Sequence, residues 1–317
     1  MTELSRIDCA DWLLARDRFV LLTHRKPDGD TVGSAAVLCR GLRSMGKIAH
    51  IWENPEITDN YRHLHAGLTK PAADAGDTIV CVDVASEGML PAACKGLCGS
   101  ISLRIDHHFC AASFTEAELV DHTAGACGEI VYDVLMALGV VLDKPMAEAL
   151  YTAVSTDTGC FRYANTTAHS LRTAAACAEA GADLYPINQA LFDTNSLPKL
   201  RLQGWIAENI RFLAGGKLAI CALPKAVEEQ LGVTEDDMEN ISGFPRSIAG
   251  VEMAATLRET EDGLVKISVR AIPGYDASAV CACFGGGGHK GAAGASVKLP
   301  LSDAAAAVEK AMLEVCR

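Results

Sequence analysis

Phe19-Val20-Leu21-Leu22-Thr23-His24-Arg25-Lys26-Pro27-Asp28-Gly29-Asp30 carries an apolar run straight into a polar, glycine-containing stretch that bears one imidazole and two carboxylates. A short apolar run closed by turn residues reads as a buried strand. The segment after it, Ser34–Met45, has the period of a helix. The same rhythm recurs downstream. Ile48–Trp52, Thr78–Asp83 and Ser100–Asp106 read as strands; Ala126–Leu138, Pro145–Ser155, Thr167–Ala180 and Leu184–Phe192 read as helices, with Pro145 suited to a first turn. This alternation predicts an α/β domain whose parallel sheet has helices on both faces.

Around Asp193–Lys199 the rhythm stops, and Leu200–Phe212 reads as a connecting helix. A second unit follows with strands at Lys217–Leu223, Val251–Glu259 and Leu264–Ala271 and a closing helix at Ser302–Cys316. Val265-Lys266-Ile267-Ser268-Val269-Arg270 alternates apolar and polar residues, as a half-buried antiparallel strand does. The expected organisation is a catalytic domain over 1–192, a linker helix over 193–212 and a smaller mixed-sheet α/β domain over 213–317.

At 317 residues, with 50% hydrophobic and 21% charged, the chain has the balance of two globular domains. No apolar run approaches the roughly 20 residues that cross a bilayer. The N-terminus lacks the apolar core of a signal peptide, so the expectation is a cytoplasmic protein with no membrane partner. The thirteen cysteines are scattered through apolar stretches, and Cys94/Cys98 and Cys281/Cys283 lack the spacing of zinc ribbons. Free thiols in a reducing compartment are expected. The net charge of −12 argues against sequence-independent binding to long nucleic acid. A short anionic substrate remains compatible, because bound cations and local Arg or Lys residues reverse the sign inside a site.

The chemistry gathers at the ends of the expected strands. Phe19–Thr23 runs into His24, Asp28 and Asp30; Thr78–Val82 ends on Asp83; Ser100–Ile105 ends on Asp106-His107-His108; and Asp157 closes a helix. In open α/β sheets ligands bind outside the carboxyl ends of the strands, so these groups should converge. A single Asp after a strand is usually an N-cap, and a single His is usually packed or solvated. His50, His63, His65, His122 and His169 are read that way. A series of such groups at successive element ends is not a set of independent caps. Carboxylates mixed with imidazoles favour a borderline-hard divalent ion, Mn²⁺ ahead of Mg²⁺ or Co²⁺. Asp28 and Asp30, on a glycine-containing loop, can face two neighbouring ions, with one shared carboxylate between them.

These residues resemble the four ordered motifs of the DHH phosphoesterase family: His24 to Asp30 with Gly33-Ser34, then Asp83, then Asp106-His107-His108, then Asp157-Thr158-Gly159. Phe284-Gly285-Gly286-Gly287-Gly288-His289-Lys290-Gly291-Ala292-Ala293-Gly294 is similar to the glycine-rich signature of that family's associated domain. The resemblance implies one ion on His24, Asp28 and Asp83, and a second on Asp30, Asp83, His107 and Asp157. Asp106 would orient the imidazoles, and His108 would face the substrate phosphate. Ser268, Arg270 and the Gly286-Gly287-Gly288-His289 element would hold the substrate. Where many relatives have Ser after that Arg, this chain has Ala271.

The glycine-rich segment also has a reading of its own. Glycines leading into a short helix would leave backbone N–H groups to cradle an anion.

Within the family, RecJ-like exonucleases carry further domains, membrane cyclic-dinucleotide phosphodiesterases carry N-terminal membrane and sensor regions, and manganese pyrophosphatases lack the glycine-rich ending. The resemblance therefore implies the short bacterial group that degrades nanoRNA to 5′-mononucleotides and dephosphorylates 3′-phosphoadenosine 5′-phosphate (pAp), with a homodimer left open. The alternatives are a phosphodiesterase for cyclic di-AMP or linear pApA, and a nucleotide-binding sensor without catalysis.

Overall fold

The structure is a computed structural model that describes residues 2–108, 113–238, 240–260 and 262–316. The chain separates into two units, Met1–Thr194 and Asn195–Arg317.

In the first unit, β1 (Thr2–Glu3), β2 (Arg18–Leu22), β3 (Ile48–Trp52), β4 (Thr69–Lys70), β5 (Thr78–Val82), β6 (Leu103–Asp106) and β7 (Ala117–Val120) pair in the order β1-β7-β6-β5-β2-β3-β4. All these pairings are parallel. The helices are α1 (Arg6–Leu14), α2 (Gly29–Ser44), α3 (Asp59–Arg62), α4 (Cys127–Ala137), α5 (Lys144–Asp157), α6 (Ala168–Glu179) and α7 (Leu184–Asn188).

Strand residues alternate between two apolar layers. Phe19, Leu21, Val80, Val82, Leu103 and Ile105 pack in one core with α1, α2, α4 and α5. Val20, Leu22, Ile79 and Cys81 pack on the opposite face with Leu90, Cys94 and Ile101, in and around short 3₁₀ turns. Burial on both faces is why these strands are apolar throughout. The chain steps from β2 to β3 in one direction and later returns to place β5 on the other side of β2. The order therefore reverses at β2/β5, where an open α/β sheet forms its binding crevice.

Helix α2 starts at Gly29 rather than Ser34. Asp28 caps it, accepting hydrogen bonds from Asp30 N (3.1 Å) and Thr31 N (3.2 Å), so Asp30 sits in the first helical turn and not on a loop. β1, β4 and β7 are short and lack a long apolar run, so no periodicity in the sequence marks them.

In the second unit, α8 (Leu197–Asn209) packs Leu202 and Ile206 against Cys221, Leu223 and Ile241, within the unit's own core. Its sheet runs β12-β13-β11-β10-β9-β8, from β8 (Arg211–Leu213), β9 (Leu218–Leu223), β10 (Met253–Glu259), β11 (Val265–Ala271), β12 (Gly287–Gly288) and β13 (Ala292–Val297). Among the described strands of this second sheet only β9 and β10 pair in parallel, so it is mixed. The remaining helices are α9 (Lys225–Leu231), α10 (Ala277–Ala282) and α11 (Leu301–Val315). Val265, Ile267, Val269 and Ala271 point into the core formed with α10 and α11, leaving Lys266, Ser268 and Arg270 on the other face.

Among the described residues no helix is long and apolar enough to cross a membrane, and all twelve described cysteines are unpaired.

Helices α2 and α5 approach closely at Gly33, where an added Cβ would stand 2.3 Å from the Ala149 carbonyl oxygen and 2.9 Å from the Ala153 Cβ. That backbone atom cannot yield without moving a helix, so Gly33→Ala is expected to destabilise the protein by about 1–3 kcal/mol. Urea unfolding of the two proteins measures it.

Candidate metal centre

The residues expected at the strand ends meet at the β2/β5 switch point. His24 and Asp28 follow β2, and Asp83 follows β5 with φ of 59°. The left-handed region is uncommon for residues other than glycine, and the short carboxylate of Asp is among the side chains that tolerate it. The Asp83 amide is held by the Ile105 carbonyl oxygen at 2.9 Å. His107 and His108 follow Asp106 at the end of β6, and Asp157 closes α5.

Two groups form around Asp83. His24 Nε2 lies 3.6 Å from Asp28 Oδ1 and 3.7 Å from Asp83 Oδ2. His107 Nε2 lies 3.8 Å from Asp30 Oδ2, 3.6 Å from Asp83 Oδ1 and 3.6 Å from Asp157 Oδ2. Within each of the sets His24/Asp28/Asp83 and Asp30/His107/Asp157, ligand atoms lie within 4.8 Å of one another. Donors held about 2.0–2.2 Å from one ion stand about 3–3.5 Å apart, so the gaps are slightly wider than a filled coordination shell requires.

The electrostatics favour cations here. Asp30 and Asp83 are buried, at 1% and 2% exposure. Asp30 accepts hydrogen bonds from Cys127 N (2.6 Å) and Gly128 N (3.0 Å) at the positive end of α4, and from Ser34 Oγ (2.9 Å). Even so, desolvation and the carboxylates of Asp83, Asp157 and Asp28 push Asp30 well above the usual carboxylate range. Desolvation, with Asp28 and Asp83, lifts Asp157 to about 6 against the pull of His107. Burial works against a charge on His24, but Asp28 and Asp83 outweigh it and raise the imidazole to about 9. Asp30 and Asp157, whose proton affinity is raised, stand among further carboxylates and imidazoles and make a donor set that divalent cations fit.

Asp106 stands apart from both sets. Its Oδ1 accepts from His107 N (2.8 Å), His108 N (3.1 Å) and His108 Nδ1 (2.9 Å). It thus fixes the His108 ring directly and the His107 backbone. Burial opposes a charge on His108, but the bonds to Asp106 and Asp83 raise it to about 12, so the ring is an imidazolium at neutral pH. The His107 ring is oriented by the Ala124 carbonyl oxygen, 3.2 Å from Nδ1. Backbone groups of this kind, and the side chain of Asn165, escaped the sequence reading because nothing in residue type marks them.

In the second unit the register brings the other candidates together. Ser268 lies opposite Gly294, which lies opposite Gly287; Arg270 lies opposite Ala292, which exchanges backbone hydrogen bonds with His289. These residues therefore share the sheet face away from the α10/α11 core. The glycines do not lead into a helix as expected: α10 precedes them, and Gly287–Gly288 is a strand. Their backbone is committed to packing, with Gly286 N bonded to the Cys281 carbonyl oxygen at 3.0 Å. A Cβ on Gly286 would stand 2.2 Å from the Gly294 carbonyl oxygen, and one on Gly288 2.6 Å from that of Ala292. Close strand pairing, rather than an open anion cradle, accounts for glycine at these two positions.

The chain belongs to the DHH family of phosphoesterases: residues 18–154 match the DHH family N-terminal domain and residues 215–316 match the DHHA1 domain. It is 33% identical over 290 residues to the bifunctional oligoribonuclease and PAP phosphatase NrnA of Thermus thermophilus, covering 88% of this chain and 83% of that one. The Bacillus subtilis protein of the same name is 25% identical over 286 residues, covering 89% and 90%. The crystal structure of an exopolyphosphatase-related protein from Bacteroides fragilis shares the fold, with a TM-score of 0.83 at 24% identity over 98% of this chain and 96% of that one.

Divalent cations entering the centre must displace protons from Asp30, Asp157 and His24. Cation affinity is therefore expected to rise with pH from about 5 to about 9, with net proton release. Calorimetric titration with Mn²⁺ in buffers of different ionisation enthalpy reads both. A pH-independent affinity without proton release would contradict the electrostatics described.

Proposed function

We propose that the protein is a two-metal phosphoesterase that releases 5′-mononucleotides from very short RNA and dephosphorylates pAp. The observation that carries this reading is the pair of ligand groups on either side of Asp83, with the His108 ring held by Asp106 beside them. The named activity of the Thermus thermophilus relative supports the choice of substrate.

In this reading His24, Asp28 and Asp83 would hold one ion, and Asp30, Asp83, His107 and Asp157 would hold the other, Mn²⁺ ahead of Mg²⁺ or Co²⁺. Bound there, two divalent ions would activate water for attack and offset charge on the attacking and leaving oxygens. Asp106 accepts the Nδ1–H of His108, which turns the other nitrogen of that ring away from Asp106 as a charged donor for a phosphate oxygen. Asp30 is kept in place by the α4 N-terminus and Ser34, and so stays fixed as charge shifts during the reaction. In the second unit Arg270 and His289, with Ser268 and Gly287 on the same sheet face, anchor a part of the substrate remote from the scissile bond.

The primary test is hydrolysis by the purified protein with Mn²⁺ of pAp, pApA, cyclic di-AMP and RNAs of graded length. Fast turnover of di- and trinucleotides and of pAp is expected. Turnover confined to cyclic di-AMP or pApA would move the protein to messenger degradation, and no turnover of any substrate would make it a sensor.

Anchoring away from the reacting phosphate helps only substrates long enough to reach the anchor. Losing a charge-assisted contact costs about 1.5–3 kcal/mol, or about 10- to 150-fold. Arg270→Ala and His289→Ala are expected to slow dinucleotide cleavage by such factors and to spare bis(p-nitrophenyl) phosphate, whereas His108→Ala impairs both. Equal losses on the two substrates in the second-unit variants would refute the anchoring role.

A further inference from the structure

The segment between β7 and α4, together with the first turn of α4, touches two of the proposed ligands directly and reaches a third through Asn165, all three assigned to the same ion. The Ala124 carbonyl oxygen lies 3.2 Å from His107 Nδ1. The N–H groups of Cys127 and Gly128 hold Asp30. The Gly125 carbonyl oxygen accepts from Asn165 Nδ2 at 2.8 Å, and the same nitrogen lies 3.1 Å from the Asp157 carbonyl oxygen and 3.4 Å from Asp157 Oδ2. His24 and Asp28 are supported elsewhere. Asn54 Nδ2 donates to the His24 carbonyl oxygen at 2.9 Å and to Thr23 Oγ1 at 3.0 Å, and Asp28 caps its own helix.

Asn165 therefore ties the end of α5, which carries Asp157, to the segment that aims His107 and Asp30. A primary amide suits the task because its nitrogen has two protons, one for Gly125 and one for Asp157. Both ends of the tie are fixed. Just after Asn165, Thr167 and Ser170 form a capping box at the start of α6. Buried Gly125 has no space for a side chain: a Cβ there would meet Glu129 Oε1 at 2.7 Å, the Asn165 carbonyl oxygen at 2.8 Å and Ser170 Oγ at 2.8 Å. Asn165 itself is exposed, so truncating it leaves no cavity in the core.

We propose that Asn165 is a positioning residue for one of the two ions: it holds Asp157 against His107, and its loss releases the ion of the Asp30/His107/Asp157 set while the ion of the His24/Asp28 set stays bound. This rests on the two-metal reading above. Groups that orient metal ligands typically contribute about 10- to 100-fold in metal affinity.

The experiment compares wild type, Asn165→Ala and Asn165→Asp by thermal melting, by Mn²⁺ content after gel filtration in limiting Mn²⁺, and by electron paramagnetic resonance. The aspartate removes both donated hydrogen bonds at nearly constant volume and adds a charge beside Asp157. The expected result is two ions and a spin-coupled Mn²⁺ signal in wild type. Both variants should keep one ion with an isolated six-line signal, bind the second about 10- to 100-fold more weakly, regain activity in excess Mn²⁺ and, stripped of metal, melt at the temperature of metal-free wild type. Two ions with a coupled signal and unchanged affinity in the variants would overturn the proposal, as would equal loss of both ions or a lowered melting temperature of the metal-free variants. A wild-type protein holding fewer than two ions would instead overturn the two-metal reading itself.

Discussion

The repulsion among Asp28, Asp30, Asp83 and Asp157 is the constraint around which the first unit is arranged. Desolvation and the neighbouring carboxylates raise the proton affinity of Asp30 and of Asp157, and burying the Asp83 carboxylate beside them adds to the cost. A fold carrying such a cluster needs rigid support and compensating positive charge. The parallel sheet supplies the first by delivering β2, β5 and β6 side by side with their carboxyl ends together. The N-terminus of α4, the imidazoles of His24 and His108, and in the proposed reading a pair of divalent ions supply the second.

The close approach of α2 and α5 follows from the same demand. Asp30 sits in the first turn of α2 and Asp157 in the last turn of α5, so both helices must converge on the cluster. Glycine permits this at two points. Gly33 admits the α5 backbone, and Gly29 admits Thr156, whose side-chain atoms would lie within 3 Å of an added Cβ. Packing in the first unit and ligand placement are thus one geometric problem. The second unit is built differently: its candidate anchors come from cross-strand register at β11–β13, where extended backbone and tightly packed glycines set the spacing.

The sequence made the acidic and imidazole centre legible because its side chains occupy strand ends, and the apolar runs before them are unmistakable where both faces of a sheet are buried. Ile48–Trp52 was readable to the residue, and β11 was readable from its alternation. The misreadings share a cause: they concern backbone rather than side chains. The start of α2 was placed late because Asp28-Gly29-Asp30 has turn composition, and only the capping bonds show that the helix has begun. The glycine-rich segment looked like an open cradle because glycine marks permissive backbone without saying whether a ligand or a neighbouring strand fills the space. The Ala124 carbonyl oxygen and the Cys127 and Gly128 amides carry no signature in residue identity. Asn165 sits in a stretch, Asn165-Thr166-Thr167, whose composition suggests only a helix cap.

Whether Asp83 joins two cation positions is decided by crystals grown with Mn²⁺ and measured at the manganese absorption edge. Two anomalous peaks about 3.5–4 Å apart are expected, one beside His24 and Asp28, the other among Asp30, His107 and Asp157, with Asp83 bonded to both. A single peak, or two peaks that share no ligand, would contradict that arrangement.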